Sequence, residues 1–393
     1  MAFTWWGLTL VPWYKRAPTK RGGGPFFFIW NQGGIAMPTY NFAAGPATLP
    51  RPVLEQVQRE LLDYQGSQVS ILEISHRSPV FREIYQQAKE RLLQLMGLSA
   101  DEYTPLFLQG GGTLQFTMVP LNLARDHHRV AYADTGHWSA RAIEEAKKLP
   151  DLTVDVVTEA GPDFAHIPAV PDLPADTYDY LHITTNNTIM GLAYQDLPQT
   201  AVPLVGDLSS NFLGQAYDFS SFDLIYAGAQ KNLAPAGVTI VVVKNDYLTE
   251  DHGLPSMLNY PALAKKESAL NTPPVFQIYF ANLVLKWLKE QGGVQAMDEL
   301  NRQKAGLVYD YLDQSKLFSN RVAPDSRSLT NIPFTTGKAD LDQRFIKEAA
   351  AAGLVNLKGH RLVGGMRASL YNAMPLAGAV ALRDFMHQFE QEI

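Results

Sequence analysis

The chain of 393 residues is long enough for two or three domains and a substantial apolar core, and its 46% hydrophobic and 18% charged residues exclude a disordered protein. A formal net charge of −6 gives no electrostatic basis for binding nucleic acid. The absence of cysteine from the sequence excludes disulfides, thiolate zinc sites and a cysteine nucleophile, and it fits a cytoplasmic enzyme.

Residues 1–36 differ in composition from the rest of the chain. They hold four of the six tryptophans, a run of three glycines and a run of three phenylalanines. Prolines and basic residues interrupt the apolar pieces before any of them reaches the length of a membrane-spanning helix, and the order of charged and apolar residues is wrong for a signal peptide. We therefore expect a mis-assigned upstream translation or an unstructured extension, a true start at Met37, and no association with a membrane.

From Met37 onward the sequence becomes regular. Residues 40–50 contain Gly-Pro and a further proline, which predict an extended segment and a turn. Apolar residues at spacings of three and four predict helices at 52–62 and 79–96. Between these helices lies an irregular loop, 66–77, that ends in two basic residues.

The middle of the chain alternates apolar runs with helical patterns. The predicted strands are residues 104–109, 129–133, 153–157, 180–184, 202–207, 224–227 and 238–244. Helical patterns at 114–123 and 140–149 separate some of them, so we predict a mainly parallel sheet with both faces covered and with ligands at the carboxyl ends of its strands. Because only residues 232–237 separate the last strand from the one before it, that strand is the candidate for antiparallel pairing.

The C-terminal third of the chain predicts helices again. A long helical pattern covers residues 274–288, and Gly292 and Gly293 break or bend it. Further helical patterns at 300–312 and 377–393 place a second domain after this break.

Lys231 follows the small residues at the end of the predicted strand 224–227. A partly desolvated amine in this position can lose its proton and attack a carbonyl group, although most lysines simply lie on the surface. Asp207 ends the preceding strand, and alone it could equally cap a helix. Two successive strand ends of a parallel sheet can place both groups around one small ring. Pyridoxal phosphate requires this pair, an amine for its aldehyde and an acid for its pyridine nitrogen.

Three further features support a cofactor site. The glycine turn 110–112 and Thr113 lie between a predicted strand and a helix, which is the layout of a phosphate cradle, although a plain tight turn has the same residues. Trp138 is a candidate to stack on a cofactor ring, and a buried core tryptophan is the ordinary alternative. Thr188 offers a hydroxyl group at another strand end.

Cationic side chains cluster in two places along the chain. His360, Arg361 and Arg367 lie close together near the C-terminus, flanked by glycines that let backbone approach a ligand. Single arginines usually lie on a solvated surface. Combined with His76 and Arg77, however, they indicate a substrate with two anionic groups, since guanidinium groups match carboxylates and phosphates.

Six motifs in order along the chain carry a family resemblance. They are residues 41–47, 73–78, 110–112, 228–232, 271–274 and 358–369. With these motifs, residues 37–393 resemble the phosphoserine aminotransferases, class V members of the fold type I pyridoxal-phosphate enzymes. The resemblance implies an α/β fold with a large PLP-binding domain, 53–296, that contains a mainly parallel seven-stranded sheet. A smaller α/β domain would comprise 37–52 and 297–393.

The resemblance also implies roles for the candidate cofactor residues. Lys231 would carry pyridoxal 5′-phosphate covalently and later move a proton between substrate and cofactor. Asp207 would pair with the pyridinium nitrogen, Trp138 would stack on the ring, and Thr188 would bond the ring hydroxyl. The cofactor phosphate would be held by Gly112, Thr113 and Gln230, joined across a homodimer interface by Asn271 and Thr272 of the other subunit.

The implied substrates are small molecules with an anion at each end. Arg367 would bind the α-carboxylate, and the distal phosphate or carboxylate would be received by His76, Arg77, His360 and Arg361. The implied reaction transfers the amino group of glutamate to 3-phosphohydroxypyruvate, giving O-phosphoserine and 2-oxoglutarate in serine biosynthesis. The implied reaction would extend to 4-phosphohydroxythreonine in pyridoxine biosynthesis. No metal is expected in the site.

The chain departs from the family pattern at three positions. Thr113 stands where some relatives carry arginine, Ala234 where glycine is frequent, and His137 where tyrosine is common. None of these differences removes an implied role.

Other functions remain as alternatives. A cysteine desulfurase of this fold would need a cysteine, and the chain has none. A glyoxylate-linked transaminase is the stronger rival, and it should lack the cluster of basic residues for a distal anion. A non-catalytic protein that binds a cofactor or sugar phosphate is disfavoured by Lys231 and Asp207. A dinucleotide-binding oxidoreductase does not fit the glycine spacing.

Overall fold

The computed structural model describes residues 38–251 and 253–393, so the predicted N-terminal extension, 1–36, lies outside the described residues. The helices are α1 (Arg51–Glu60), α2 (Pro79–Met96), α3 (Gly111–Leu123), α4 (His137–Ala146), α5 (Tyr260–Lys265), α6 (Val275–Glu290), α7 (Gly293–Gln314), α8 (Ala339–Ala351) and α9 (Leu376–Gln391). The strands are β1 (Tyr40–Asn41), β2 (Tyr103–Leu108), β3 (Arg129–Asp134), β4 (Thr153–Glu159), β5 (Tyr180–Thr184), β6 (Leu204–Asp207), β7 (Leu224–Gly228), β8 (Thr239–Lys244), β9 (Asn331–Phe334), β10 (Leu354–Val355) and β11 (Met366–Ser369).

A seven-stranded sheet with the order β2-β8-β7-β6-β5-β3-β4 forms the centre of the fold. Strands β4, β3, β5, β6 and β7 pair in parallel with their neighbours in this series. Strand β8 pairs antiparallel with both β7 and β2. The mainly parallel seven-stranded sheet and the antiparallel strand near its edge are therefore confirmed. The connection from β7 to β8 is too short for the crossover that parallel pairing requires.

Alternate residues of each strand point to opposite sides of the sheet. Apolar clusters cover both of these sides. On one side Ile225 packs in an apolar cluster with residues of α1, α2 and α6. On the other side its neighbour Tyr226 packs with residues of α3, α4 and α5. The burial of both faces explains why these strands occur in the sequence as nearly continuous apolar runs.

A third apolar cluster forms around α7, α8 and α9 and the two-stranded antiparallel sheet of β9 and β11. Phe42 joins this cluster from the N-terminal part of the chain, since β1 pairs in parallel with β10. Residues Thr39–Ile393 nevertheless pack as one compact unit. The boundaries of the predicted large and small domains stay a prediction.

Three helices begin at least three residues earlier than the sequence predicts. One is α7, which begins at Gly293 rather than 300, and the other two begin beside the site described below. Helix α3 begins at Gly111 rather than 114, and α4 begins at His137 rather than 140. The break between α6 and α7 falls at the predicted glycines. Within the described residues, no helix has the length and apolar character needed to cross a membrane.

Candidate active site

A cavity lies where β5, β6 and β7 end, at Thr184, Asp207 and Gly228. Parallel strands bring their carboxyl ends to one edge of a sheet, which is why these residues meet. The cavity is lined by Gly112, Thr113, Phe116, Trp138, Thr184, Asn186, Asp207, Ser209, Ser210, Gln230 and Lys231. The structure therefore brings together six of the residues singled out in the sequence.

The amine of Lys231 contacts neutral hydroxyl groups. Its Nζ donates to Ser210 Oγ at 3.1 Å and to Thr188 Oγ1 at 3.4 Å, and it lies 5.9 Å from the ring centroid of Trp138. Burial lowers the pKa of Lys231 to about 8; the negative charge of Asp207 opposes this shift and the positive charge of Arg367 adds to it. A lysine with this pKa is neutral in a useful fraction near neutral pH and is therefore a competent nucleophile.

Asp207 is buried at the end of β6. It is 6% exposed, and its Oδ1 accepts a hydrogen bond from the backbone N–H of Ser209 at 2.9 Å. Tyr226 on β7 is its partner in the strand register. Asp207 thus caps a local turn rather than a helix, and its position at the end of β6 directs a fixed negative charge to the cavity.

The first turn of α3 forms the opposite end of the cavity. Gly110 and Gly111 have φ values of +94° and +68°, a left-handed backbone that glycine adopts without strain. Among the described residues no side chain caps this helix, so its first N–H groups keep their hydrogen-bonding capacity beside Gly112 and Thr113. A Cβ atom at Gly112 would lie 3.4 Å from Ser209 Oγ. A phosphate group suits this helix start, because the N–H groups and the helix dipole both favour an anion.

Trp138 lies in the first turn of α4 at the rim of the cavity. The preceding Gly136 has a φ of +152°, and a Cβ atom there would approach Asn187 Oδ1 to 2.7 Å. Within the described part of the chain, Trp138 Nε1 and Thr184 Oγ1 are buried without a hydrogen-bond partner. Unpaired polar atoms around a cavity indicate a polar ligand, and they fit a small ring that carries oxygen and nitrogen acceptors.

Cationic residues lie next to this cavity. Arg367 Nη1 donates to the carbonyl oxygen of Thr188 at 3.1 Å, and burial lowers the pKa of the guanidinium. The ring of His360 lies 6.3 Å from that of His137, the residue before Trp138. Burial lowers the pKa of His360, as do the positive charges of Arg367, His137 and Arg361. An anionic ligand would offset this mutual repulsion.

The remaining predicted residues lie elsewhere in the chain. His76, Arg77, Asn271 and Thr272 line a second cavity of ≈ 620 Å³. These four residues are not among those that line the Lys231 cavity. Gln109 Nε2 donates to the carbonyl oxygen of Thr272, one of the lining residues, at 3.0 Å. Their predicted roles toward cofactor and substrate stay predictions.

Several hydroxyl-bearing residues of the site escape the sequence analysis. Ser210 contacts the Lys231 amine, and Ser209 Oγ accepts a hydrogen bond from the backbone N–H of Gly228 at 3.0 Å. Thr184 lies beside Asp207 in the strand register. Only their positions in the sequence could have indicated a role in the site. Thr184 ends a predicted strand, and both serines closely follow Asp207.

Comparisons with known proteins agree with this geometry. The family model for class-V aminotransferases matches residues 39–382. The phosphoserine aminotransferase of Listeria monocytogenes is 54% identical over 351 residues, which cover 89% of this chain and 96% of the relative. That of Lactiplantibacillus plantarum is 56% identical over 355 residues, which cover 90% of this chain and 99% of the relative.

Solved structures give the same result. The phosphoserine aminotransferase of Bacillus circulans subsp. alkalophilus has a TM-score of 0.87 at 42% identity, covering 91% of this chain and 99% of that one. The PLP-bound phosphoserine aminotransferase of Trichomonas vaginalis has a TM-score of 0.84 at 37% identity, covering 89% and 99%. The resemblance drawn from the six motifs is confirmed. The chain belongs to the class-V aminotransferase family and, within it, to the phosphoserine aminotransferases.

Proposed function

We propose that the protein transfers the amino group of glutamate to 3-phosphohydroxypyruvate, giving O-phosphoserine and 2-oxoglutarate, with pyridoxal 5′-phosphate as its cofactor. The observation that carries this proposal is the Lys231 amine with its lowered pKa, in one cavity with the Asp207 carboxylate. Membership of the phosphoserine aminotransferases supplies the substrate class.

The residues of the Lys231 cavity fit the cofactor. Lys231 would hold its aldehyde carbon, Asp207 its ring nitrogen, and the start of α3 its phosphate, while Trp138 covers the ring. Once bound, pyridoxal phosphate supplies an electron sink for the substrate's α-carbon. The Lys231 amine would move the proton between the substrate's α-carbon and the cofactor. Thr188 and Ser210, which contact Nζ, orient this amine.

The cations around the cavity would orient the substrate. Arg367 is half-buried and fixed by its bond to the Thr188 carbonyl oxygen, so it is suited to the α-carboxylate that both substrates share. His360 and Arg361 would contact the distal anion. This division of roles accounts for an enzyme that must bind glutamate and a phosphorylated keto acid in turn.

We also propose that the active enzyme is a homodimer whose second subunit supplies His76, Arg77, Asn271 and Thr272 to each site. These residues line an open cavity of their own chain, and none of them lines the Lys231 cavity. Leu62 and Leu72 are 81% and 61% exposed in the segment leading to His76. A second subunit packed against this segment would cover these two side chains.

Two further expectations belong to this proposal. The large PLP-binding domain would comprise 53–296, and the small domain 37–52 and 297–393, with the Lys231 cavity receiving Arg367 from the small one. We place the enzyme in the cytoplasm, in keeping with a chain that contains no cysteine.

The same site would accept 4-phosphohydroxythreonine and its keto acid. This amino acid carries a carboxylate at one end and a phosphate at the other, like phosphoserine, so the same cations would contact it. Comparing the two phosphorylated amino acids as donors to 2-oxoglutarate tests this extension, and a lack of turnover with 4-phosphohydroxythreonine would limit the proposal to phosphoserine.

The main proposal is tested with the purified protein and glutamate as donor. We expect a yellow protein that forms O-phosphoserine from 3-phosphohydroxypyruvate, with a much smaller kcat/KM for glyoxylate. Product formation is followed by phosphorus NMR and by release of 2-oxoglutarate. A preference for glyoxylate would replace the proposal with the glyoxylate-linked alternative, and a colourless protein without turnover would leave only a binding function.

A further inference from the structure

Asn331 on β9 carries a buried amide that connects three separate parts of the chain. The residue is 0% exposed and is not among those that line the Lys231 cavity. Its Nδ2 donates to Ser369 Oγ at 3.1 Å and to Tyr371 Oη at 3.2 Å. Its Oδ1 accepts a hydrogen bond from Asn186 Nδ2 at 2.8 Å. A buried polar group with partners on every side holds the segments that bear those partners together.

The neighbouring hydroxyl groups fix the orientation of this amide. Tyr371 Oη donates its single proton to the carbonyl oxygen of Ala44 at 2.8 Å, so its oxygen can only accept from Asn331. The Ser328 hydroxyl donates to Asn186 Oδ1, which leaves Asn186 Nδ2 to donate to Asn331. A reversed Asn331 amide would set one Nδ2 against another. Only the orientation described here satisfies all of these groups.

Two of the connected segments belong to the Lys231 site. Asn186 lines the Lys231 cavity, and its carbonyl oxygen accepts from Ser210 Oγ at 3.2 Å. The same Ser210 hydroxyl contacts Lys231 Nζ. Ala44 precedes Gly45, where an added Cβ would lie 3.5 Å from Lys231 Cγ. The amide is therefore connected to the surroundings of the reactive lysine from two directions.

The third connected segment is β11, which carries Arg367. Ser369 is the register partner of Asn331, and Arg367 lies two residues earlier on the same strand. Arg367 Nη1 donates to the carbonyl oxygen of Thr188, two residues after Asn186. The pair of strands β9 and β11 is thus attached to the loop after β5 both through the Asn331 amide and through the guanidinium group itself.

We propose that Asn331 is a positioning residue that sets the place of the Arg367 guanidinium relative to the Lys231 amine. When Arg367 holds the substrate's α-carboxylate, this placement decides whether the α-carbon lies within reach of the amine that moves its proton. The inference rests on the role of Arg367 in the proposed function. It does not depend on the distal group of the substrate.

The test removes the connecting amide. Asn331→Ala is compared with Asn282→Ala, because Asn282 is also buried, at 4% exposure, and its amide bonds Arg91 and Gln87 on α2. Asn282 is not among the residues that line the Lys231 cavity. Both variants, saturated with pyridoxal 5′-phosphate, are titrated calorimetrically with 2-oxoglutarate, which has no amino group and therefore binds without turnover. Thermal unfolding is recorded beside the titration.

We expect Asn331→Ala to weaken binding of 2-oxoglutarate about tenfold and to lower kcat/KM for glutamate by about 10- to 100-fold. Because every substrate has the α-carboxylate, 3-phosphohydroxypyruvate and glyoxylate should lose kcat/KM by the same factor. Asn282→Ala should lower the unfolding temperature but leave the Kd for 2-oxoglutarate within about twofold of the parent. Parental affinity in Asn331→Ala, or equal losses of affinity in both variants, would overturn the inference.

A double variant shows whether Asn331 acts through Arg367. Added to Arg367→Ala, the substitution Asn331→Ala should weaken 2-oxoglutarate by no more than about a further twofold, because the group that it positions is already absent. Independent, additive losses would overturn the inference, and so would parental affinity in Arg367→Ala alone. A parent enzyme that binds 2-oxoglutarate but does not turn over 3-phosphohydroxypyruvate would overturn the proposed substrate and leave this inference standing.

Tyr371→Phe decides the matter if Asn331→Ala fails to fold. It removes only the oxygen atom between the Asn331 amide and the Ala44 carbonyl oxygen. We expect it to weaken binding of 2-oxoglutarate by about three- to tenfold. Parental affinity in this variant would overturn the inference.

Discussion

Lys231 owes its reactivity to its surroundings rather than to its residue type. Its amine contacts two hydroxyl groups, and burial outweighs the attraction of the nearby carboxylate of Asp207. Burial of an ammonium group disfavours its charged form, so the neutral amine becomes accessible at lower pH. The desolvation that makes such a residue costly to the fold therefore makes it useful for attack on an aldehyde.

This shift predicts how fast the apoprotein captures its cofactor. Because the pKa of Lys231 is about 8, the neutral fraction, and with it the rate of covalent capture of pyridoxal 5′-phosphate, should rise with pH and level off above about pH 9. Stopped-flow absorbance at a series of pH values measures this rate. Lys231→Ala is the control, and after borohydride reduction it should retain no cofactor. A rate that keeps rising to about pH 10.5 would instead indicate an ordinary lysine.

Arg77 is predicted to recognise the distal anion of the substrate. Arg77→Ala should lower kcat/KM for 3-phosphohydroxypyruvate by about 10- to 100-fold, the cost of a lost charge-assisted hydrogen bond, and should barely change that for glyoxylate. Steady-state kinetics with both acceptors measure the effect. Arg51→Ala is the control, since Arg51 is exposed and pairs only with Glu55 among the ion pairs of the described residues. Equal losses with both acceptors would argue against a role in distal recognition.

At the scale of elements, the segment 358–365 depends on close contact between its two ends. The Gly359 N–H donates to the Gly365 carbonyl oxygen at 2.9 Å. A Cβ atom on Gly359 would lie 2.1 Å from the Gly364 carbonyl oxygen, closer than any real contact. Because this contact is with backbone, it cannot be relieved by a side-chain rotation. Glycine at this position lets the segment fold back and hold His360 and Arg361 together.

Gly359→Ala should therefore disturb the distal anion site from a distance. We expect KM for 3-phosphohydroxypyruvate to rise about tenfold and the free energy of unfolding to fall by about 1–3 kcal/mol, as in other overpacked positions. Gly306→Ala is the control, because Gly306 is inside α7 and an added Cβ would meet nothing within 4 Å beyond its chain neighbours and the adjacent helix backbone. That substitution should stabilise the protein by about 0.5–1 kcal/mol without changing KM. Kinetics and chemical denaturation test both variants, and an unchanged KM in Gly359→Ala would show that the segment does not set substrate affinity.

The accuracy of the sequence predictions varies with the kind of element. Both ends of α2 are predicted correctly, since the Ser78 hydroxyl caps its start and Gly97, with a φ of +68°, ends it. The long buried strands are equally clear as apolar runs. Strand β9 was missed, because its four residues are too few for a recognisable period. The early start of α3 was missed because glycines disfavour helices, although at a ligand-binding helix start they are accepted.

The candidate site shows the same limit for side chains. Lys231 and Asp207 could be predicted because each follows a strand and carries distinctive chemistry. Ser210 and Thr188, which contact the Lys231 amine, were weak or missing predictions, because hydroxyl residues are common and their contacts depend on how the strand ends are arranged.

At the scale of the whole molecule, the predicted site residues form two groups. One group surrounds Lys231, and the other, with Arg77 and Asn271, lines the second cavity. In a single chain, the Lys231 cavity therefore lacks some of the residues that are predicted to bind the substrate's anions. The second cavity holds those residues but lacks the predicted catalytic amine. If two copies associate about a twofold axis, the second cavity of each subunit can face the Lys231 cavity of the other, and both sites are completed at once.

Mixed dimers test this arrangement. Lys231→Ala and Arg77→Ala subunits, carrying different affinity tags, are expressed together and the heterodimer is purified. If each site combines Lys231 of one subunit with Arg77 of the other, the heterodimer contains one intact site and one doubly altered site, and it should show about half the parental turnover of 3-phosphohydroxypyruvate. Each altered homodimer should be far less active, because both of its sites lack one of the two residues.

The matched control pairs Lys231→Ala with Asp207→Ala, two residues of the same cavity. This heterodimer should recover no activity, since neither of its sites is complete. A mixed dimer of the first kind that is no more active than its parents would place Arg77 outside the shared site and require a separate role for the second cavity.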